Sequence, residues 1–339
     1  MGVMTKLQYD SHIQLAELPY FNVRDGRLVL ADAAFGPSID VHTHLALAYG
    51  RKIRVDLNKL HDRTEHYLGV DKPLDLDVYI NKNFDEDSLR RMRKDLTLGS
   101  LSAKGMRVTH TAPNLSAEMA DLGIVSSVLL PIDFPVLSRN AENYLQAAQV
   151  TDGLISLGSV HPYARKVPEK LAAQKALGAR GIKVHPAVQS VAPDNPRAMR
   201  LYGICGDLGL PVLFHCGPVG IEPERGRRLC QLERYAPPIK EYPNTTFVLG
   251  HSGALQMEQA LAYAKEHTNV YLELASQSVT NINRILDEAP PDRVMMGSDW
   301  PFYHQATSLA KVLIATEGRS AELRAGVLHD NAARLFGLM

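Results

Sequence analysis

The chain has 339 residues, 45% of them hydrophobic, which is ample for a core; α/β barrels often run this long as one domain. Lys+Arg and Asp+Glu both number 37, so the formal net charge is zero and no basic field exists to drive nucleic-acid binding. Cys205, Cys216 and Cys230 are too few and too scattered for a disulfide framework, and no apolar run approaches bilayer-spanning length, so no membrane is expected.

Met1 to Gln14 lacks the apolar core of a signal peptide, so a cytoplasmic setting is expected. Residues 1–38 read as a short N-terminal extension packed on the wall of the main domain. Within it, Tyr20 to Leu30 forms a hairpin pattern turned at Asp25-Gly26. Ile39-Asp40-Val41-His42-Thr43-His44 then reads as a strand. Its period of two puts His42 and His44 on one face, where two imidazoles can hold one metal ion. Residues 46–115 are a long charged insertion. Such segments are more often functional than plain connectors. It leaves the end of the first strand, so it is expected to cover the pocket or meet a neighbouring subunit there. Phe84 to Leu98 carries a helical pattern, with Leu89, Met92 and Leu96 on one face. Ser116 to Leu122 reads as a helix stopped by Gly123.

Beyond this point apolar, β-branched runs begin near Ile124, Leu154, Gly181, Pro211, Thr246, Asn269 and Arg293. Helical patterns separate them, one opened by Asn195-Pro196 and closed by Gly209, another over Ala254 to His267. Strands alternating with helices about every 30 residues mean βα units and a parallel sheet. With the first strand there are eight, which predicts a (β/α)8 TIM barrel.

Active sites of such barrels lie at the C-terminal ends of the strands. The strand ends carry His42 and His44, then Lys183 and His185, then His215, His251 and Asp299. A lone histidine at a strand end is usually a core residue. Five of these residues, His42, His44, His215, His251 and Asp299, end four strands of one barrel and together read as a metal site. Lys183 aims at the same mouth. His110 and His161 read as structural, and His185 stays open. Cys216 alternates away from His215 and faces the helix layer.

The motifs Asp40-Val41-His42-Thr43-His44, Gly181-Ile182-Lys183-Val184-His185-Pro186, His215-Cys216-Gly217, Gly250-His251-Ser252-Gly253 and Gly297-Ser298-Asp299-Trp300-Pro301, with the ending Asn331 to Gly337, resemble the amidohydrolase superfamily. Within it, they are similar to the amidohydrolase-related metal-dependent hydrolases. The resemblance runs from about Ile39 to the C-terminus. It implies that His42, His44 and Asp299 hold one divalent ion and that His215 is a further ligand. His251 would hold a second ion or act beside the first as a base and electrostatic partner. Asp299 would take the proton of the attacking water and pass it to the leaving group. Zinc is the ion expected from a histidine-rich set with an open position, and manganese also fits.

The resemblance implies a hydrolase of a small cyclic amide, lactone, amide or ester. A non-oxidative decarboxylase of an aromatic or unsaturated acid is the alternative, and a non-catalytic ligand-binding barrel the third reading. Carbon dioxide release separates the first two; absence of any turnover marks the third. Lys183 has two readings. As a neutral amine it can take up carbon dioxide and bridge two ions as a carbamate, as in relatives resembling dihydroorotase, although His185 stands where those have an aromatic residue. As a cation it binds a substrate carboxylate beside one ion. Arg225, Arg227 and Arg228 follow the fifth strand and suggest an anionic substrate. A homo-oligomer stays open.

Overall fold

A computed structural model describes residues 6–48, 53–134 and 138–338. Eight parallel strands form the core: β1 (Ser38–Thr43), β2 (Ile124–Leu129), β3 (Leu154–Ser156), β4 (Ile182–Val184), β5 (Val212–His215), β6 (Phe247–Gly250), β7 (Val270–Glu273) and β8 (Val294–Met295). One run pairs β1-β2-β3 and another pairs β4 through β8. Two parallel bridges, Gly158 to Ile182 and Thr43 to Trp300, join the runs into a (β/α)8 barrel. Backbone bonds carry both seams: Lys183 N to Gly158 O at 2.8 Å, and His44 N to Trp300 O at 2.7 Å.

Two apolar layers hold this ring. Inside the barrel, Ile39, Val41, Val128, Leu213, Val248 and Met295 pack together, and Phe336 of the last helix joins them. Outside it, residues such as Ile182, Val184, Phe214, Leu249 and Leu272 pack under the helices. Both layers reflect strands buried on both faces.

Most elements stand where the sequence pattern puts them, with three departures. The hairpin is Phe21–Arg24 with Arg27–Leu30, and Asp25 and Gly26 both have positive φ, as a two-residue turn requires. The helix before β2 runs Ala112–Asp121, four residues earlier than the pattern suggests. Pro113 sits at its first turn, where a missing N–H costs nothing. The helix after β6 begins only at Met257, because Ser252, Gly253 and Ala254 take positive φ in a tight turn. The first strand is also not a clean alternation. Val41 packs inside the barrel, yet the next residue, His42, also faces inward and lines the cavity at the barrel mouth. Pairing of β1 with β2 shifts register between Asp40 and Thr43, and this irregularity turns two neighbours to one side.

Asp40 fills the gap so made. Its carboxylate accepts from His42 N at 3.1 Å, Ser298 N at 2.9 Å and Gln305 Nε2 at 2.6 Å, so it ties β1 to the chain after β8. Burial pushes its carboxyl up to about 6, against these bonds and one from the Ser298 hydroxyl.

The N-terminal extension and the 46–115 segment hold each other. Gln8–Tyr9 pairs antiparallel with Leu74–Asp75, and His12 N reaches Val70 O at 2.9 Å. Helix α1 (Glu86–Leu96) of that segment is capped by Asp85, which accepts from Ser88 N. No helix of the described residues is long and apolar enough to cross a membrane.

Asp40→Ala would leave several buried donors without an acceptor. We expect a loss of about 3 kcal/mol or more, read from urea denaturation, since each orphaned donor costs about 1–3 kcal/mol. A loss under about 1 kcal/mol would show that the seam does not depend on Asp40.

Candidate metal centre

A cavity of about 930 Å³ opens at the C-terminal ends of the strands. Its floor gathers His42, His44, Lys183, His215, His251 and Asp299. All except Asp299 are more than nine-tenths buried.

Hydrogen bonds on the far side of each ring fix the first two histidines. His44 Nδ1 lies 2.8 Å from the carbonyl oxygen of Leu130. A carbonyl only accepts, so Nδ1 carries the hydrogen and Nε2 of the neutral ring presents a lone pair. That lone pair faces Asp299 Oδ1 at 3.4 Å. His42 Nδ1 lies 2.8 Å from Glu273 Oε2, and its Nε2 lies 3.7 Å from the same Asp299 oxygen. Two imidazole lone pairs and a carboxylate thus converge, with the Lys183 amine against His42 Nε2 at 3.3 Å as the nearest donor. Acceptors so placed repel one another unless a cation sits among them, and this donor set suits a divalent ion. His42, His44 and Asp299 are geometrically able to hold one.

The other floor groups lie close by. Lys183 Nζ is 3.3 Å from His42 Nε2. Burial pushes its ammonium down to about 8, with Asp299 and Glu273 opposing. His251 Nε2 is 3.2 Å from His215 Nδ1, while His251 Nδ1 is buried with no hydrogen-bond partner. His215 stacks on His185 at 3.9 Å between ring centroids. His185 Nδ1 accepts from Val188 N at 3.4 Å, which makes His185 a wall residue of the cavity.

Glu273, the end of β7, is a site residue that the sequence motifs do not pick out. Its Oε2 accepts from both the His42 ring and the His251 backbone at 2.9 Å, and its Oε1 accepts from Ala275 N. Burial pushes its carboxyl up to about 8, and the two backbone donors pull the other way. It orients His42 and so leaves Nε2 for the cavity. Gly297 makes the room: a Cβ there would stand 2.0 Å from Glu273 Oε1 and 2.9 Å from His42 Cβ. Glu273 does carry a usable signal, since it is a lone charge ending an apolar run on the strand between those of His251 and Asp299.

Tyr79 and Tyr303 also escape the sequence pattern. Both line the cavity, and burial and the charge of Asp299 push both phenols well up, so they stay hydroxyl donors. Tyr303 donates to Asn81 Oδ1, and Asn81 Nδ2 donates to Val219 O at 3.0 Å. Tyr79 gives no signal because its place is set by the pairing of the 46–115 segment, not by a strand end.

The remaining candidates divide clearly. His110 meets Glu65 O at 2.8 Å and His161 meets Gln189 O at 2.9 Å, both away from the floor. Cys216 is buried in the layer between barrel and helices. Of the three arginines, Arg225 lines the cavity; Arg228 pairs with Glu224 one turn away, and Arg227 does not line it.

Comparison with known proteins agrees with this architecture. A curated 4-sulfomuconolactone hydrolase from Rhizobium radiobacter is 26% identical over 54% of this chain and 67% of its own. An uncharacterised TIM-barrel protein from Bordetella bronchiseptica superposes with a TM-score of 0.61 at 18% identity, covering 89% of this chain and 99% of that one. A 2,6-dihydroxybenzoate decarboxylase from Rhizobium gives 0.50 at 15% identity over 66% and 87%. The sequence model of the amidohydrolase family matches residues 39–338, so this chain belongs to that family and is an enzyme of the amidohydrolase type.

Proposed function

We propose that the protein hydrolyses a lactone, ester or amide with the help of a divalent ion held by His42, His44 and Asp299. The observation that carries this is the pair of imidazole lone pairs aimed at one carboxylate oxygen, at 3.7 and 3.4 Å. Zinc suits the imidazole-rich set. Such an ion polarises a carbonyl and lowers the pKa of water, which brings hydroxide chemistry to neutral pH.

The residues supply the rest. Asp299 takes the proton of the attacking water and returns it to the leaving group. His251 stands within the same cluster, its Nδ1 unpartnered, and stabilises charge that develops beside Asp299. Glu273 keeps His42 in the tautomer that leaves Nε2 for the ion. Tyr79 is a donor for a substrate oxygen at the Asp299 side, while Tyr303, whose hydrogen goes to Asn81, holds that flank in place. The 46–115 segment closes one flank of the cavity through Tyr79, Asn81 and α1. Three buried free thiols suit a reducing, cytoplasmic setting.

Chelation should remove turnover of lactone or ester substrates, and zinc or manganese should restore it. Full activity in protein shown by elemental analysis to hold no metal would reject the reading. Carbon dioxide release from an aromatic acid without hydrolysis would transfer the site to the decarboxylases.

Glu273→Gln should weaken metal binding about 10–100-fold, measured by competition with a chromogenic chelator, since removing a partner that orients a metal-binding histidine typically costs that much. Unchanged affinity would leave Glu273 a structural group only.

For Lys183 we propose the carboxylated form, whose carbamate, with His215 and His251, would hold a second ion. Wild-type protein prepared with bicarbonate should then hold two ions per chain and Lys183→Met one. A single ion in both proteins would make Lys183 a plain amine facing the substrate.

A further inference from the structure

The walls of the cavity differ sharply from its floor. Above the buried polar cluster, one flank is Met92 and Leu96 of α1, and the facing flanks are Leu47, Ile132, Val188 and Ile221. Phe134 and Phe302 also line it. These side chains come from the loops after β1, β2, β4, β5 and β8 and from the 46–115 segment, so no single element imposes them. The two sides are joined at the rim, where Arg93 Nη2 donates to Ile221 O at 3.0 Å.

Cationic groups are scarce within this space. Among the described residues lining the cavity, Arg93, Lys94 and Arg225 are all solvent-exposed rim residues. Lys183 on the floor is the one buried lysine or arginine among them; it sits against His42, and carboxylated as proposed above it would be an anion. The rim also carries Glu222, whose Oε1 accepts from Val219 N at 3.1 Å. A substrate with several charges could meet one at the floor and one at the exposed rim, but charges along its body would lie against aliphatic walls without a partner.

We infer that the substrate is a lactone or ester with an extended alkyl or aryl body, its carbonyl on the floor and its hydrocarbon against the wall of Met92, Leu96, Ile132, Val188 and Ile221. This rests on the hydrolase reading for the reaction but not for the binding. It sets the chain apart from its curated relative, whose substrate by name carries a sulfonate. The hydrocarbon displaces water from the wall, and the carbonyl meets the groups that act on it.

The test uses the full chain loaded with zinc and a series of linear carboxylates as product analogues: butyrate, hexanoate, octanoate and decanoate, with citrate as the polyanion. Calorimetric titration should show Kd falling about fourfold for each methylene buried, the fold-change expected for transferring a methylene out of water. The paired substitutions Met92→Ser and Ile221→Ser should flatten that slope, and Leu101→Ser, on an exposed site away from the cavity, should not. Kd independent of chain length, or citrate bound more tightly than decanoate, overturns the inference even if the substituted proteins do not fold. The reaction is read separately from δ-lactones of matching chain length. Chain-length-dependent binding without hydrolysis would reject the hydrolase reading and keep this one. Hydrolysis with a flat chain-length profile would do the reverse.

Discussion

The Glu273 carboxylate is the group on which the geometry of the floor depends. One oxygen accepts from the ring of His42 on β1 and from the backbone of His251 after β6, and the other accepts from Ala275 beyond β7. Three neighbouring parts of the ring thus meet at one buried carboxyl. Burial alone disfavours its charge, so the arrangement lasts only while every donor stays in place. The consequence appears one bond further on. With Nδ1 occupied, His42 must turn Nε2 toward the mouth, where it meets Asp299 and Lys183.

Backbone shape does the corresponding work on the other side. Asp299 and His251 both have positive φ, as do Ser252, Ala254 and Ser276. Side chains other than glycine rarely adopt that conformation, and residues forced into it gather where a site needs a particular orientation. Asp299 is held there by Asp299 N to His42 O at 2.8 Å and by the Asp40 carboxylate gripping its neighbour Ser298. A carboxylate outside the cavity therefore fixes where the carboxylate inside it points.

How much of this is legible in the sequence depends on which residues sit on regular strands. His42, His44, Lys183, His215, His251 and Asp299 can be read because each ends an apolar run, where a polar residue stands out and the barrel rule says which end matters. The eight strands can be read for the same reason. Glu273 is easily overlooked although it obeys the rule, because a single Glu without a motif around it looks like an ordinary strand terminus. The bend between Asp40 and Thr43 is not legible at all. Alternation is the default expectation for a strand, and only the pairing with β2 reveals that Val41 and His42 share a side. Tyr79, Tyr303 and the place of Met92 on the cavity wall, though not its helical face, are hidden for another reason. Their positions depend on contacts far apart in sequence, which no local period encodes.

Those distant contacts explain why the N-terminal extension belongs to the site although none of its described residues lines the cavity. Gln8 and Tyr9 pair with Asp75 and Leu74, and Leu76 N bonds Leu7 O at 2.8 Å. From there the chain runs directly into Tyr79, Ile80 and Asn81, where Ile80 N meets Ser276 O at 3.0 Å and Asn81 meets Val219 and Tyr303. The segment is thus anchored at its far side by the extension and at its near side by the loops after β5, β7 and β8. Just beyond these anchors, α1 buries Met92 and Asp95 and turns its other charged residues outward to solvent. An apolar wall can stand over a polar floor only if it is held from both ends, because burial of Met92 and its neighbours by itself favours collapse into the cavity rather than a fixed distance from it. The extension and the three barrel loops set that distance, and with it the width of the space a substrate must fill.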